Sequence, residues 1–384
     1  MNTDFYQITM AYARWKQGIH ERQASFQLFY RKPPFEGSGA FACGLGVVTE
    51  FLESFRFSKE DLEHLSGLHQ FEDAFIDYLR ELRFSGSMKA VVEGSWIHPK
   101  EPFVQITASI VECQILETPL LNIFNFQTLV ATKAKRICEA ARGDSVVEFG
   151  LRRAQGFDGA LSASRAAYVG GVEATSNLEA AKIYGIPTCG TMSHAWVMSF
   201  PSEEAAFEAY ASVYPESCVL AIDTYDTLRG LQNAIKLGKR LRGIRLDSGD
   251  LASLSMRARQ ELDQAGLQNV KIMASGDLDE YKIAELKSKN ASINTWGVGT
   301  RLVTAFDEPA LGGVYKLARI QDVDGEWRDC HKTSNDIFKS TLPGMLPSQN
   351  HFLEPIFQSG RLLYKLPSLE EIKKYVKSQR TQST

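Results

Sequence analysis

Cysteine is sparse in this chain, clustered basic charge is missing, and no apolar run is long enough to span a bilayer. The six cysteines (Cys43, Cys113, Cys138, Cys189, Cys218 and Cys330) are scattered over 384 residues with no CxxC pair. That spacing argues against a zinc framework or a disulfide scaffold and predicts reduced thiols in a cytoplasmic protein. A formal net charge of −3 gives no basic footprint for nucleic acid and no polybasic arm for a membrane surface. The opening segment MNTDFYQITMAYARW has no apolar core, so no secretory signal is expected. His64 and His69 stand five apart and miss the i, i+4 spacing of helical metal ligands. Low-complexity tracts are absent. What is present is an apolar fraction of 44%, enough for a large core, in a chain whose length suggests two domains.

The most informative pattern lies between Val219 and Glu280. VLAIDTYDTL, GIRLDSGDL and VKIMASGDLDE each begin with a short apolar run, reach an Asp, and give way to a helical pattern. This is the pattern of a parallel α/β barrel or sheet, where residues just past the strand C-termini gather around one pocket. Asp223, Asp247 and Asp277 are then expected to face a common centre with Arg245 beside them. Acids and an arginine at one barrel mouth suit a magnesium-bound phosphate ester.

The remaining chain sorts into three parts. Residues 1–118 read as an α+β module: a helix from Phe5 to Trp15, a strand from Ala24 to Tyr30, helices between Gly46 and Leu82 with a start signal at Ser58, and β segments from Met88 to Leu116. Residues 119–302 read as a long helix from Pro119 to Ala141, capped by Thr118, followed by an α/β barrel. Its strand candidates are Val146–Phe149, Thr188–Thr191, Val219–Ile222, Gly243–Leu246, Lys271–Met273 and Ile293–Trp296. Residues 303–384 turn to strands and loops that are expected to return to the first module, with a frayed tail from Lys373 to Thr384.

Other segments carry candidate chemistry. GDSVVEFGLRRAQGFDGA places Phe149, Arg152 and Arg153 at a strand end, where a ring can stack on a planar substrate and an arginine can grip a phosphate or carboxylate. Equally, Phe149 reads as core and the arginines as surface cations. In YVGGVEATSN, Thr175 and Ser176 read either as a helix N-cap or as donors to an anion. GTMSHAWV sets His194 just past a strand, as acid, base or phosphoryl-accepting nucleophile. WGVGTRLVT is a Gly-x-Gly turn where barrels often bind phosphate. Lys316 and Lys332 are candidate anion contacts or plain solvated lysines.

Together TDFYQITM, FYRKPPF, EFGLRRAQGFDGA, GGVEATSN, GIPTCGTMSHAWV, DTYDTL, GIRLDSGDL, SGDLDE, GVGT and PALGGVYKL, running in order from Thr3 to Leu317, closely resemble the nicotinate branch of the nicotinate and nicotinamide phosphoribosyltransferase family. The resemblance implies a type II phosphoribosyltransferase fold, an irregular TIM-like α/β barrel with an α+β module that packs on a neighbouring subunit of a homodimer. It implies that nicotinate and 5-phosphoribosyl-1-pyrophosphate (PRPP) form nicotinate mononucleotide and pyrophosphate, with ATP as co-substrate through a phosphohistidine at His194 and Mg2+ at Asp223 and Asp247. It implies a stacking pair of Phe149 and the partner subunit's Tyr6. Arg152, Arg245, Asp247, Gly276, Asp277, Gly297 and Gly299 would line the phosphoribosyl and pyrophosphate site. GGVEATSN departs from the more usual GGFDGTSN, so Glu173 and Ala174 replace an Asp-Gly pair, and Glu173 sits awkwardly for a site that binds a carboxylate. The chain is also short for this family. The alternatives are nicotinamide phosphoribosyltransferase, the decarboxylating quinolinate enzyme, and a non-catalytic sugar-phosphate-binding barrel. A phosphosugar aldolase or isomerase would want a lysine or glutamate base at a strand end, and the barrel-mouth motifs offer none.

Overall fold

The structure, a computed structural model, describes residues 1–330, 332 and 352–379. The chain divides into two compact units, one of residues 1–129 and 310–384 and one of residues 130–309. The first division falls inside the long helix Glu117–Ala140.

The first unit is built on a seven-stranded sheet. Its order is Trp327–Asp329, Gly313–Gln321, Gln23–Tyr30, Val104–Ser109, Ser87–Ala90, Glu354–Gln358, Arg361–Leu362. The C-terminal segment thus supplies strands at both ends of the sheet. Gly313–Gln321 runs antiparallel to Gln23–Tyr30, and Phe26 stacks on Tyr315 with ring centroids 4.9 Å apart. Gln23–Tyr30 is buried at every position but the first, the polar Ser25 and Gln27 included. The three helices read between Gly46 and Leu82 are Leu45–Glu53, Lys59–Gly67 and Asp73–Glu81. Ser58 caps the second in a reciprocal box with Asp61.

Three readings of this unit are corrected. The β segments end at Ser109, and Ile110–Ile115 is a helix: the Ser109 hydroxyl accepts the Glu112 amide and starts it. Thr118 is no cap, because the long helix already begins at Glu117; its hydroxyl instead donates to Asp4. Leu369–Ser378 is a helix where a frayed tail was expected. Ser368 and Glu371 form its capping box, and Ile372 and Val376, one turn apart, are buried. Gly94 packs against that face so closely that a Cβ there would stand 2.8 Å from Val376. Residues 380–384 lie outside the described residues.

The second unit carries a six-stranded, all-parallel sheet in the order Ala174–Thr175, Ser145–Glu148, Thr295–Val298, Lys271–Ala274, Gly243–Leu246, Val219–Ala221. Helices alternate with the strands, among them Gly156–Val169, Glu203–Val213, Thr227–Ile235, Leu251–Gln264 and Glu280–Ser288. Short apolar runs such as Ile272 to Ala274 are buried because helices cover the sheet. Ala174–Thr175 is a strand where a loop and cap were expected. The expected strand Thr188–Thr191 shrinks to a single parallel bridge between Thr188 and Thr175. Among the described residues no ladder joins that bridge to Val219–Ala221, so the barrel is irregular and open along one seam. Among the described residues no helix is long and apolar enough to cross a membrane.

A buried cation braces this unit. The Lys133 side chain is fully buried and its ammonium contacts Glu280 at 2.7 Å and also Asp307; Arg136 reaches Glu280 at 2.9 Å. Removing the cation leaves Glu280 with Arg136 alone and takes the ammonium from the partly buried Asp307. Lys133→Ala is expected to destabilise the protein by about 3–5 kcal/mol, read as a lower urea midpoint; a midpoint within error of wild type would show that the carboxylates are paired without it.

Candidate functional site

The sheet's geometry sets the site. Parallel strands bring all their C-terminal ends to one side, and the turns that leave them supply most of the lining of a cavity of about 440 Å³. Phe149, Arg152 and Arg153 follow Ser145–Glu148; Ser176 follows Ala174–Thr175; Arg245 lies in Gly243–Leu246 and Asp247 follows it; Ser275, Gly276 and Asp277 follow Lys271–Ala274; Gly297 lies in Thr295–Val298, and Gly299 and Thr300 follow it. Gly190 and Thr191 complete the wall. The sequence singled out Phe149, Arg152, Ser176, Arg245, Asp247, Gly276, Asp277, Gly297 and Gly299, and the fold brings them together.

Close backbone approach explains two of the glycines. At Gly276, φ is +96° and a Cβ would stand 2.4 Å from the carbonyl oxygen of Asp247. Asp277 follows at φ +46°, a conformation that Asp tolerates better than most residues. At Gly297 a Cβ would stand 2.9 Å from two carbons of the Phe149 ring. The ring therefore lies directly on the glycine backbone. Phe149 also packs against the small apolar cluster of Val147, Ala174 and Met273, as does Cys189.

The acids are linked across strands. Asp223 Oδ2 accepts the Asp247 amide at 2.8 Å and the Ser248 hydroxyl at 3.0 Å, and Ser275 donates to Asp247 Oδ1. His194 opens the short helix His194–Met198, its Nδ1 3.1 Å from the Thr224 hydroxyl. Its Nε2 lies 4.0 Å from Asp223 Oδ1 and 3.9 Å from Asp247 Oδ2. Asp223 Oδ1 is buried and has no hydrogen-bond partner. An orphaned buried carboxylate oxygen beside the partly exposed Asp247 fits a hard cation. Magnesium needs only one or two protein carboxylates when waters and phosphates fill the rest of its shell. Arg245 donates to Thr191, while its buried Nε is left unpaired.

Several candidates stand elsewhere. His194 and Asp223 adjoin the cavity through Asp247 and do not line it. Thr175 is 1% exposed and donates to Glu148, so its hydroxyl is committed inside the protein. Tyr6 lies in the other unit, half exposed on the helix Phe5–Lys16, where burial first and then Glu117 and Asp4 push its phenol above the ordinary value. Lys316 is also in that unit, where it acts electrostatically on Glu117. The awkward Glu173 turns out to be harmless. It is exposed and accepts from Ser145, at the end of the strand opposite the cavity. Thr191, Ser275 and Thr300 line the cavity and were missed. The signal for Ser275 and Thr300 was their place beside strand-end glycines; Thr191 lies in a loop that read as a strand.

A family model described as the nicotinate phosphoribosyltransferase N-terminal domain matches residues 1–125, and one described as the nicotinate phosphoribosyltransferase family matches residues 145–353. The chain belongs to the nicotinate phosphoribosyltransferase family. It is 47% identical to the nicotinate phosphoribosyltransferase of Bacillus subtilis over 351 residues, which is 90% of this chain and 71% of that protein. It is 50% identical over 321 residues to a nicotinate phosphoribosyltransferase of Mycobacterium tuberculosis, covering 82% of this chain and 69% of the relative. The crystal structure of human nicotinic acid phosphoribosyltransferase aligns with a TM-score of 0.81 at 29% identity, covering 98% of this chain and 93% of that one. The fold is that of the type II phosphoribosyltransferases.

The Gly276 contact gives a direct test. Gly276→Ala must move the Asp247 carbonyl or abandon its positive φ. Activity of the folded variant is expected to fall at least about tenfold, equivalent to 1.4 kcal/mol at the transition state. Activity within twofold of wild type would show that the Asp247 turn relaxes freely.

Proposed function

We propose that this chain is a nicotinate phosphoribosyltransferase of NAD salvage, joining nicotinate to PRPP with release of pyrophosphate and coupling the reaction to ATP hydrolysis. The observation that carries the proposal is the single cavity in which an aromatic ring, three arginines, two aspartates and strand-end glycines converge.

The chemistry matches those side chains. Attack at ribose C1 passes through an oxocarbenium-like state as pyrophosphate leaves. The pyridine nitrogen has a free lone pair, so no general base is needed. The protein must align the ring and stabilise the departing charge. Phe149, seated on Gly297, offers a flat face for the ring. Ser176, Arg152 and Arg153 offer donors to the nicotinate carboxylate or the phosphoribosyl phosphate, and no acid faces them from the exposed Glu173. Backbone turns at Gly276 and Gly299 allow phosphates close to the main chain. Asp223 and Asp247 would hold magnesium, which supplies charge neutralisation to the pyrophosphate when bound. Arg245 lies on the same wall to share that charge.

His194 is the proposed phosphoryl acceptor. Its helix places the ring where both nitrogens meet polar groups, and no other histidine lies in a barrel-mouth motif. Phosphate bond formation at one ring nitrogen would leave ADP, and hydrolysis of the phosphohistidine would return the free imidazole. Tyr6, exposed beside Phe5 and Met10 on one helix, is proposed to complete the partner subunit's cavity in a homodimer. A cytoplasmic location is part of the proposal, supported by six free thiols.

The deciding assay supplies PRPP and magnesium with nicotinate, nicotinamide or quinolinate, each with and without ATP. Nicotinate mononucleotide formation stimulated by ATP is expected. Preference for nicotinamide would move the chain to the amide branch; no product from any base would favour a barrel that only binds a sugar phosphate.

Three variants test the roles. Asp247→Asn should cut turnover by about a hundredfold or more with folding intact; near-normal turnover ends its assignment. His194→Ala should lose ATP stimulation and the acid-labile label from γ-labelled ATP, while some ATP-independent synthesis persists. If it still forms product per ATP hydrolysed as tightly as wild type, the acceptor lies elsewhere. Tyr6→Ala and Asp247→Asn, each poor alone, should recover part of the activity when co-refolded into heterodimers. Verified heterodimers without recovery would mean that each site is built from one chain.

A further inference from the structure

Glu148 is a buried carboxylate that the mechanism above does not use. It is the last residue of Ser145–Glu148, directly before Phe149, and its exposure is 0%. A carboxylate so placed is costly unless it is fully hydrogen-bonded. Its oxygens accept from three donors. Oε1 takes the Gly150 amide; Oε2 takes the Ser164 hydroxyl at 2.9 Å and the Thr175 hydroxyl. No lysine or arginine is paired with it among the described residues, so these donors hold the charge.

The donors come from three different elements around the cavity. Gly150 begins the turn that carries Arg152 and Arg153: its carbonyl accepts the Arg153 amide at 2.8 Å. Ser164 lies on Gly156–Val169, the helix that follows the turn. Thr175 ends the neighbouring strand, and its hydroxyl also accepts the Asn177 amide at 3.0 Å. Asn177 reaches back to Ser164 at 3.1 Å. Gly150 itself has no slack, since a Cβ there would fall 2.2 Å from Val303. Phe149 is pinned on its other side by its amide, which donates to Val298 at 2.7 Å. Glu148 therefore fixes the direction in which the chain leaves the strand. That direction sets the tilt of the Phe149 ring and the reach of the following arginines.

We propose that Glu148 is a positioning residue for the pyridine half of the cavity. It holds the Phe149–Arg153 turn and the Thr175–Asn177 turn in register, so that the ring face and the carboxylate donors meet the same bound base. Its influence falls more on the base than on PRPP: of the proposed PRPP contacts only the arginines of this turn depend on it, while Asp247, Gly276 and Gly299 leave other strands. This inference rests on the proposed transfer to nicotinate.

The test compares Glu148→Gln, Glu148→Ala and Thr175→Val with wild type. Glutamine keeps the acceptor for Gly150, and the hydroxyls can rotate to accept from its amide nitrogen. Alanine leaves the Gly150 amide unpaired. Thr175→Val removes one donor with little change of shape and serves if the alanine variant does not fold. The nicotinate KM is expected to rise at least tenfold in Glu148→Ala and about threefold in Thr175→Val, with any rise in the PRPP KM at most a third as large. Glu148→Gln should restore most of the loss. Amide hydrogen exchange gives a readout independent of activity: Gly150 should exchange much faster in Glu148→Ala, while Thr295–Val298 keeps its protection. Parallel rises in both KM values, or unchanged exchange at Gly150, would overturn the positioning role. A wild-type protein that makes no nicotinate mononucleotide would refute the proposed reaction instead, and the exchange result alone would then decide whether Glu148 fixes the turn.

Discussion

The approach of one strand-end turn to another is the constraint on which the site depends. The Gly276 backbone lies against the Asp247 carbonyl at a distance that admits no side chain. The same turn brings Ser275 to the Asp247 carboxylate, and Asp247 in turn donates its amide to Asp223. Three consecutive βα units are thereby locked at their C-terminal ends. The carboxylates cannot drift apart without breaking hydrogen bonds, and they leave one oxygen of Asp223 buried and unpaired. A cation and a polyphosphate can use such a site because its charge is arranged before they arrive, so little reorganisation is needed at the moment of reaction.

The opposite wall follows a different logic. There the shape is set by packing. Phe149 packs on the Gly297 backbone and against the Val147, Ala174 and Met273 cluster, and it lines the cavity. Ala174 stands where a glycine is more usual, and its small buried side chain belongs to that cluster. The accompanying Glu173 turns to Ser145 at the far end of the strand. The substitution therefore alters the support beneath the ring without adding charge to the cavity. A carboxylate-bearing base is compatible with this wall, whose charged groups are arginines.

The open seam in the barrel has a chemical consequence. Thr188 makes only a single bridge, so residues 189–193 run as loop to His194. That loop carries Thr191 to Arg245 and sets His194 beside Asp223, Asp247 and Thr224. A regular strand would have pointed alternate residues into the sheet and kept the imidazole from reaching both acids. Irregularity here frees a histidine to approach the place where phosphate chemistry is proposed.

Sequence alone determined the alternation of strand and helix, the acids at strand ends and the glycines between them, because period-two and period-3.6 apolar patterns and turn residues are local signals. From these, Asp223, Asp247, Asp277 and Arg245 were legible as one group, to which the family resemblance added Phe149, Gly276 and Gly297. Local signals failed where hydrogen-bond partners come from distant segments. Ala174–Thr175 looked like a loop because it is a strand only by pairing with Val147 and Glu148. Thr175 looked available until Glu148 claimed its hydroxyl. Glu148 itself was invisible as a functional residue, since nothing in its neighbours predicts that Ser164 and Thr175 will bury it. The return of Gly313–Gln321 to Gln23–Tyr30 was expected only in outline, and its register was fixed by side-chain packing across nearly the whole length of the chain. Composition and pattern name the groups that can do chemistry; tertiary structure decides which of them remain free to do it, because most buried polar atoms must find a partner and the fold chooses that partner.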